Sequence, residues 1–143
     1  MWYIVMPLLA WLVAGSVKFV VNYCRFGRQA IGLVGNGGFP STHTTVAAGT
    51  VGLIVLREGL QSPVVGLGIA FLLITVIDAM GLRRAVGRQA SRINQLEKQA
   101  GRTDRPLRER QGHTPLEVLG GAVLGMLLAL LVQGLAGGTG VTP

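Results

Sequence analysis

The residues best suited to chemistry in this sequence lie in segment 37–45, Gly-Gly-Phe-Pro-Ser-Thr-His-Thr-Thr. Ser41 or Thr42 is placed to cap a helix, because a hydroxyl there can accept from the free N–H groups of the first turn. His43 would then lie in that turn, where the free N–H groups and the helix dipole favour an anion. A titratable imidazole beside such a site is typical of phosphate chemistry. A capped helix with an incidental histidine fits these four residues about equally well.

Other ionisable residues stand at the margins of apolar segments. Lys18 and Arg25 are seven residues apart, close to two helical turns, so both can face one side of a helix. Asp78 ends an apolar run, where an unpaired carboxylate is costly. We therefore expect Arg83 or Arg84 to pair with it, and we expect Asp78 to shape a site without reacting itself.

A second histidine, His113, precedes the last apolar segment. The next residues form a capping-box pattern, with Thr114 as N-cap, Pro115 at N1 and Glu117 at N3. Glu117 can also hydrogen-bond one imidazole nitrogen of His113 and so fix the tautomer of the ring. The pattern leaves both roles of Glu117 open.

These residues have to be positioned by a membrane-embedded fold. Of the 143 residues, 50% are hydrophobic and only 13% are charged, and the mean hydropathy is +0.53. This composition predicts one all-α membrane domain, residues 1–143. Four apolar segments predict transmembrane helices at about 2–21, 41–59, 63–80 and 115–135. Glycines at 49 and 52 and at 121 and 125 predict close contact between helices.

Residues 81–112 are the polar part of the chain, with nine basic and three acidic residues. They predict a basic cytoplasmic loop whose first half is an interfacial amphipathic helix. The positive-inside rule then places both termini outside an inner or plasma membrane. With four crossings, the ionisable residues meet at one cytoplasmic mouth: Lys18, Arg25, His43, Asp78, Arg83, Arg84, His113 and Glu117.

Several other classes of function are disfavoured. The isoelectric point is near 11.1, but the basic region lacks the interleaved aromatic residues that nucleic-acid binding would need. A single cysteine, Cys24, excludes an intrachain disulfide. No tight histidine or carboxylate spacing indicates a metal, and we expect no metal and no cofactor.

The motifs resemble those of the phosphatidic acid phosphatase type 2 superfamily. The chain from about 18 to 125 is similar to its divergent branch, which is related to acid phosphatases and vanadium-dependent haloperoxidases. Pro-Ser-Thr-His at 40–43 resembles the superfamily's Pro-Ser-Gly-His. Lys18 with Arg25 matches its Lys-x6-Arg, and His113 with Glu117 matches its His-x3-Asp with glutamate for aspartate.

The resemblance implies a membrane phosphatase that hydrolyses a lipid phosphate, such as an isoprenoid phosphate or a phosphatidate-like lipid, through a phosphohistidine intermediate. His113 would attack phosphorus, Glu117 would orient it, and His43 would protonate the leaving oxygen. The phosphate-binding residues expected at the mouth are Lys18, Arg25, Ser41, Arg83 and Arg84.

The sequence departs from the superfamily pattern at several points. Phe26 replaces the usual proline, and Leu107 stands where the superfamily has an arginine six residues before the nucleophile. Arg108 and Arg110 lie only near that position. The superfamily's membrane members usually have six spans and often outward-facing sites, whereas this chain has room for four spans and its charge bias points inward.

Two alternatives stay open. One is a non-catalytic protein that binds an anionic lipid or a phosphate head group at the same mouth. The other is a transporter subunit or a metal site formed by His43, His113, Asp78 and Glu117. The expected partners are the lipid phosphate substrate and membrane lipids. We also expect a homodimer, because four helices make a thin wall around a lipid tail and the many glycines favour close packing.

Overall fold

The computed structural model describes residues 1–33, 38–102 and 105–137, and these residues are almost entirely helical. Five α-helices follow one another in the order α1 Trp2–Phe26, α2 Thr42–Glu58, α3 Pro63–Ile77, α4 Arg83–Gln99 and α5 Pro115–Gly137. A 3₁₀ helix, Gly27–Leu33, continues α1, and a π turn, Asp78–Leu82, joins α3 to α4. The predicted all-α class is confirmed. Gly37 and two positions of the loop 81–112 lie outside the described residues.

Three helical segments of the described chain are long and apolar enough to cross a membrane: Trp2–Ile31, Pro63–Gln99 and Pro115–Gly137. They contain the predicted first, third and fourth spans. The predicted second span corresponds to α2, which has 17 residues and is about 26 Å long. A crossing by α2 therefore stays a prediction.

Helix α2 is the centre of the bundle and packs against α1, α3 and α5. Eight of its residues are buried, most of them alanine, glycine or threonine, so neighbouring helices can approach its backbone closely. The main apolar cluster comprises Met6, Ala10, Leu53, Ala129 and Val132, contributed by α1, α2 and α5. The site-bearing start of α2 is thus held by helices on several sides.

Glycines permit main-chain contact between α2 and α5. A Cβ atom added to Gly125 would lie 2.5 Å from the Thr45 carbonyl oxygen and 2.7 Å from the Gly49 nitrogen. At Gly121, an added Cβ would lie 2.5 Å from the Ser41 carbonyl oxygen. These distances confirm the close contact that the glycine spacing predicts.

Helices α3 and α4 form one continuous helix of 37 residues, Pro63–Gln99. The sequence predicts an end near residue 80, but the π turn carries the helix through Gly81 and into α4, which begins at Arg83. There the Arg83 N–H donates to the Asp78 carbonyl oxygen, five residues back. The amphipathic helix predicted for the polar region is present as α4, and it continues α3 without a break.

The segment 105–112, which we call the strap, runs back along α4 from the far end of that helix. Asn94 holds it with two hydrogen bonds to Leu107: Nδ2 donates to the carbonyl oxygen at 2.9 Å, and Oδ1 accepts from the N–H at 2.8 Å. Gly87 leaves room for the carbonyl oxygen of Glu109. The strap ends at Gly112, which has φ +79° and packs against the π turn. The strap therefore places the next residue, His113, beside the π turn.

Candidate functional site

His43 lies in the first turn of α2, as the sequence predicts. The N-cap is Ser41, whose Oγ accepts from the Thr44 N–H at 3.4 Å and from Thr44 Oγ1 at 2.9 Å. Ser41 is fully buried, whereas His43 is exposed. The cap therefore fixes the start of the helix and leaves the imidazole of His43 available to a ligand.

His113 is held on two sides and is only 7% exposed. Its N–H donates to the Ala79 carbonyl oxygen in the π turn at 2.9 Å. Its Nδ1 lies 3.1 Å from Glu117 Oε2. Burial is the main cause that lowers the pKa of His113 below its ordinary value, and the hydrogen bond with Glu117 partly offsets it.

Glu117 performs both of the roles that the sequence leaves open. The oxygen that faces His113, Oε2, also accepts from the Thr114 N–H at 3.0 Å, and Thr114 Oγ1 accepts from the Glu117 N–H at 3.3 Å. The capping box and the contact with the imidazole thus coexist. A single carboxylate oxygen organises the start of α5 and the histidine before it.

A main-chain hydrogen bond joins the two histidine motifs. The Ser41 N–H donates to the carbonyl oxygen of Glu117 at 2.9 Å. Together with the glycine contacts between α2 and α5, this bond places the starts of the two helices side by side. His43 and His113 consequently line the same cavity.

This main cavity has a volume of about 840 Å³ and combines a charged part with an apolar part. Its ionisable lining residues are Lys18, His43, Arg83, Arg108, Arg110 and His113. Its apolar lining comes from α1 and includes Trp11, Leu12, Gly15, Phe19 and Val20. Along α1, Trp11 lies about 10 Å from Lys18.

The direction of the cavity follows from the packing of α1 against α2. Near the start of α1, the Tyr3 hydroxyl donates to the Glu58 carboxylate, and Arg57 lies 5.6 Å from the centre of the Tyr3 ring. Because Glu58 ends α2, the two helices are antiparallel, and His43 lies toward the end of α1 that carries Lys18. The apolar part of the cavity therefore extends from the histidines along α1 toward Trp11.

A second cavity of about 270 Å³ adjoins the first, and the two share Asn22 and the segment 110–113. Arg25 and Arg84 line this smaller cavity, as does Glu117. The predicted cations are thus divided: Lys18 and Arg83 line the main cavity, and Arg25 and Arg84 line the smaller one.

A family model described as the Divergent PAP2 family matches residues 2–128. The chain belongs to the Divergent PAP2 family. The uncharacterized membrane protein YuiD of Bacillus subtilis (strain 168) is 32% identical over 111 residues, which cover 67% of this chain and 70% of that protein. No solved structure matches the chain. The resemblance inferred from the motifs is confirmed, and the chain is a membrane protein.

Two residues predicted for the site of this Divergent PAP2 protein, Ser41 and Asp78, line neither cavity in the described part of the chain. Ser41 lines neither cavity among the described residues, since its hydroxyl is used as the helix cap. Asp78 pairs with Arg83, whose Nε donates to Oδ2 at 2.5 Å. The predicted pairing of Asp78 is therefore present, and it holds one of the cavity's cations.

The structure adds three residues that the sequence analysis did not assign to the site. Asn22 is 9% exposed and lines both cavities. Its position four residues after Lys18, on the same helical face, was the signal that could have identified it. Arg108 and Arg110 line the main cavity from the strap, although the superfamily pattern places its arginine at Leu107. No spacing rule could have placed them, because their position depends on how the strap packs against α4.

The described residues contain no group of three or more histidine, cysteine, aspartate or glutamate side chains that could hold a metal ion. The metal alternative requires such a group from His43, His113, Asp78 and Glu117. The geometry of the described chain therefore lends that alternative no support.

Proposed function

We propose that this protein is a membrane phosphatase that hydrolyses a lipid phosphate through a phosphohistidine intermediate. The supporting observation is the composition of the main cavity. His113, hydrogen-bonded to a carboxylate, and the exposed His43 lie there beside four cationic side chains and the apolar part of the cavity. Membership of the Divergent PAP2 family supports the same chemistry.

His113 is the nucleophile in this proposal. Glu117 is an acceptor only, so the proton of the ring stays on Nδ1, and the lone pair of Nε2 is free to attack phosphorus. The attack forms the N–P bond and breaks the bond between phosphorus and the leaving oxygen. Positive charge develops on the imidazole during this step, and the carboxylate 3.1 Å away stabilises it.

His43 is the general acid, and it donates a proton to the leaving oxygen as that bond breaks. In the second step, His43, now neutral, takes a proton from the attacking water. That attack releases inorganic phosphate and regenerates His113. The exposure of His43 suits this role, because an acid that exchanges protons with water needs access to it.

The cations neutralise the charge on the phosphoryl oxygens. Lys18 and Arg83 supply two positive charges from α1 and from the start of α4, and Arg108 and Arg110 supply two more from the strap. Guanidinium groups donate to phosphate oxygens through a planar fork, which fixes orientation as well as charge. The two strap arginines take the place of the superfamily arginine that Leu107 replaces.

The apolar part of the cavity supports a lipid substrate. A phosphate bound near Lys18 would leave the remainder of the molecule beside Phe19, Gly15 and Trp11. An isoprenoid phosphate and a phosphatidate-like lipid both fit this description, since each joins a phosphate to an apolar chain. The charge of residues 81–112 further supports a cytoplasmic mouth with both termini outside.

A non-catalytic binding function is the second candidate. The observation in its favour is that Leu107 stands where the superfamily has an arginine. A basic mouth without the superfamily arginine could hold a phosphate head group without turning it over. Release of inorganic phosphate that depends on the two histidines would distinguish the phosphatase from this candidate.

The test compares His113→Ala and His43→Ala on an alkyl phosphate lipid and on nitrophenyl phosphate. A nucleophile is needed for every substrate, so His113→Ala should abolish turnover of both. The acid matters less when the leaving oxygen is weakly basic, so His43→Ala should lose far more activity on the alkyl phosphate than on nitrophenyl phosphate. Gln61→Ala, in the exposed turn at the other end of α2, is the control and should keep full activity.

The outcomes discriminate between the assignments. If His43→Ala loses nitrophenyl turnover while His113→Ala keeps it, the two roles are reversed. If both variants keep wild-type turnover, the proposed phosphohistidine mechanism is wrong. If purified wild-type protein binds the lipid phosphate but never releases phosphate, the non-catalytic function takes its place.

A further inference from the structure

Helix α4 carries an exposed apolar stripe on an otherwise polar surface. Val86, Ile93 and Leu96 are 39%, 43% and 64% exposed. From Val86 onward, the spacing is three, four and three residues, with Gln89 in the intervening position. These are alternating a and d positions of a heptad, with Val86 and Ile93 at a and Gln89 and Leu96 at d. We call this stripe the α4 seam.

Because α4 continues α3 without a break, a membrane crossed by α3 would leave the seam beyond its apolar core. The apolar part of the continuous helix, residues 64–82, is about 28 Å long and suffices to cross the hydrocarbon layer. The 17 residues of α4 then extend about 25 Å further. Lipid tails cannot cover leucine and isoleucine side chains at that distance, so the seam faces water unless a protein surface covers it.

We propose that the α4 seam binds the α4 seam of a second copy of this chain as a parallel, two-stranded coiled coil. Two copies in one membrane have the same orientation, so their α4 helices project from the same face and can pair only in parallel. β-branched residues at a, here Val86 and Ile93, combined with leucine at d favour two strands over three or four.

The charges beside the seam are complementary in this arrangement. Arg92 occupies a g position and Glu97 the following e position. In a parallel coiled coil, a g side chain faces the e side chain five residues further along the partner helix. Arg92 of each copy therefore meets Glu97 of the other, twice by symmetry. In the part of the chain that the structure describes, neither side chain has an ion-pair partner.

The strap occupies a different face of α4 and leaves the seam accessible. Gly87 contacts the strap, and Asn94 is hydrogen-bonded to it. Both occupy b positions of the heptad, about 100° around the helix from Val86 and Ile93. The buried face of α4 extends as far as Ala90 at an e position, and the seam residues beside it are exposed. Pairing through the seam does not depend on the proposed phosphatase activity.

Disulfide crosslinking in native membranes tests the geometry. In a Cys24→Ser background, which removes the one natural cysteine, Leu96→Cys should form a crosslinked dimer rapidly under mild oxidation. Equivalent d positions face each other across a two-stranded seam, within the Cα separation that a disulfide spans. Lys98→Cys is the matched control: it is equally exposed and close in sequence, but it lies on the outer face, and its crosslinking rate should be at least about tenfold lower.

Charge reversal tests the predicted pairs on purified protein in detergent. Arg92→Glu and Glu97→Arg should each weaken dimerisation by about threefold to tenfold, and the double variant should restore it. Equal crosslinking at Leu96 and Lys98 would indicate random collision and overturn the proposal. A protein that stays monomeric, or a dimer whose affinity the double variant fails to restore, would overturn it as well.

Discussion

Replacing Glu117 by glutamine separates the two functions of this side chain. Both contacts of the carboxylate, with the Thr114 N–H and with His113 Nδ1, use the same oxygen, Oε2. A glutamine amide oxygen in that position can still accept both hydrogen bonds. The substitution therefore keeps the geometry of the cap and the tautomer of His113, and it removes only the negative charge.

The size of the effect follows from that difference. A hydrogen bond to an ionised group is about twice as strong as a neutral one, so losing the charge costs roughly 1–1.5 kcal/mol where positive charge develops on the imidazole. We expect kcat for lipid-phosphate hydrolysis to fall about fivefold to tenfold. Because the cap remains, the free energy of unfolding should change by less than about 1 kcal/mol.

The pH profile provides a second measurement. His113 must be neutral to attack phosphorus, so kcat/KM falls as the pH drops through the pKa of His113. Burial lowers this pKa below its ordinary value, and Glu117 partly raises it again. Removing the negative charge should lower the pKa further and move the acid limb of kcat/KM to lower pH.

The matched control is Thr114→Ala, which removes the other half of the capping box and leaves the contact between His113 and Glu117 in place. It should destabilise the protein by about 1 kcal/mol without moving the acid limb. If Glu117→Gln leaves both kcat and the acid limb unchanged, Glu117 is a helix cap only, and the proposed orientation of His113 is refuted.

Three further predictions concern packing, charge and topology. Gly125→Leu should destabilise the protein by at least about 3 kcal/mol in a detergent unfolding assay, since its Cβ would lie 2.5 Å from a carbonyl oxygen of α2, whereas Gly134→Ala, with open space around it, should not. Asp78→Asn should raise KM several-fold with little change in kcat, because it releases a phosphate-binding arginine; a normal KM with lost turnover would instead assign Asp78 a chemical role. A cysteine at Gln99 should react with an impermeant thiol reagent only from the cytoplasmic side, and labelling from outside intact cells would reverse the topology.

The sequence predicts the elements whose signals are local. Ser41 caps α2, Pro63 begins α3, and the capping box begins α5, because hydroxyl, proline and carboxylate side chains satisfy or avoid the free N–H groups of a first turn. The sequence predicts close helix contact at these glycines without naming the partner helix, and α2 and α5 meet there because only a missing side chain permits that approach. The sequence places His43 and His113 at one site through four predicted crossings, whereas the structure joins them through the contact between α2 and α5.

Features that depend on tertiary packing were not predictable in this way. Hydropathy falls at Gly81 and the arginines that follow, which suggests the end of a helix, yet most of these residues are compatible with helical backbone and the π turn carries the helix onward. Arg108 and Arg110 reach the cavity because Asn94 anchors the strap to α4, a contact between residues 13 apart that leaves no periodic pattern. Tertiary contacts of this kind decide which arginines bind the proposed phosphate.

The hydrogen bond between the Ser41 N–H and the Glu117 carbonyl oxygen also bears on how such a site can evolve. It is formed by main-chain atoms, which every amino acid shares apart from the missing N–H of proline. Substitutions at either position can remove a cap or a carboxylate, but most of them leave this link between the two helix starts in place. The spacing of His43 and His113 therefore depends on the backbone more than on the side chains at positions 41 and 117.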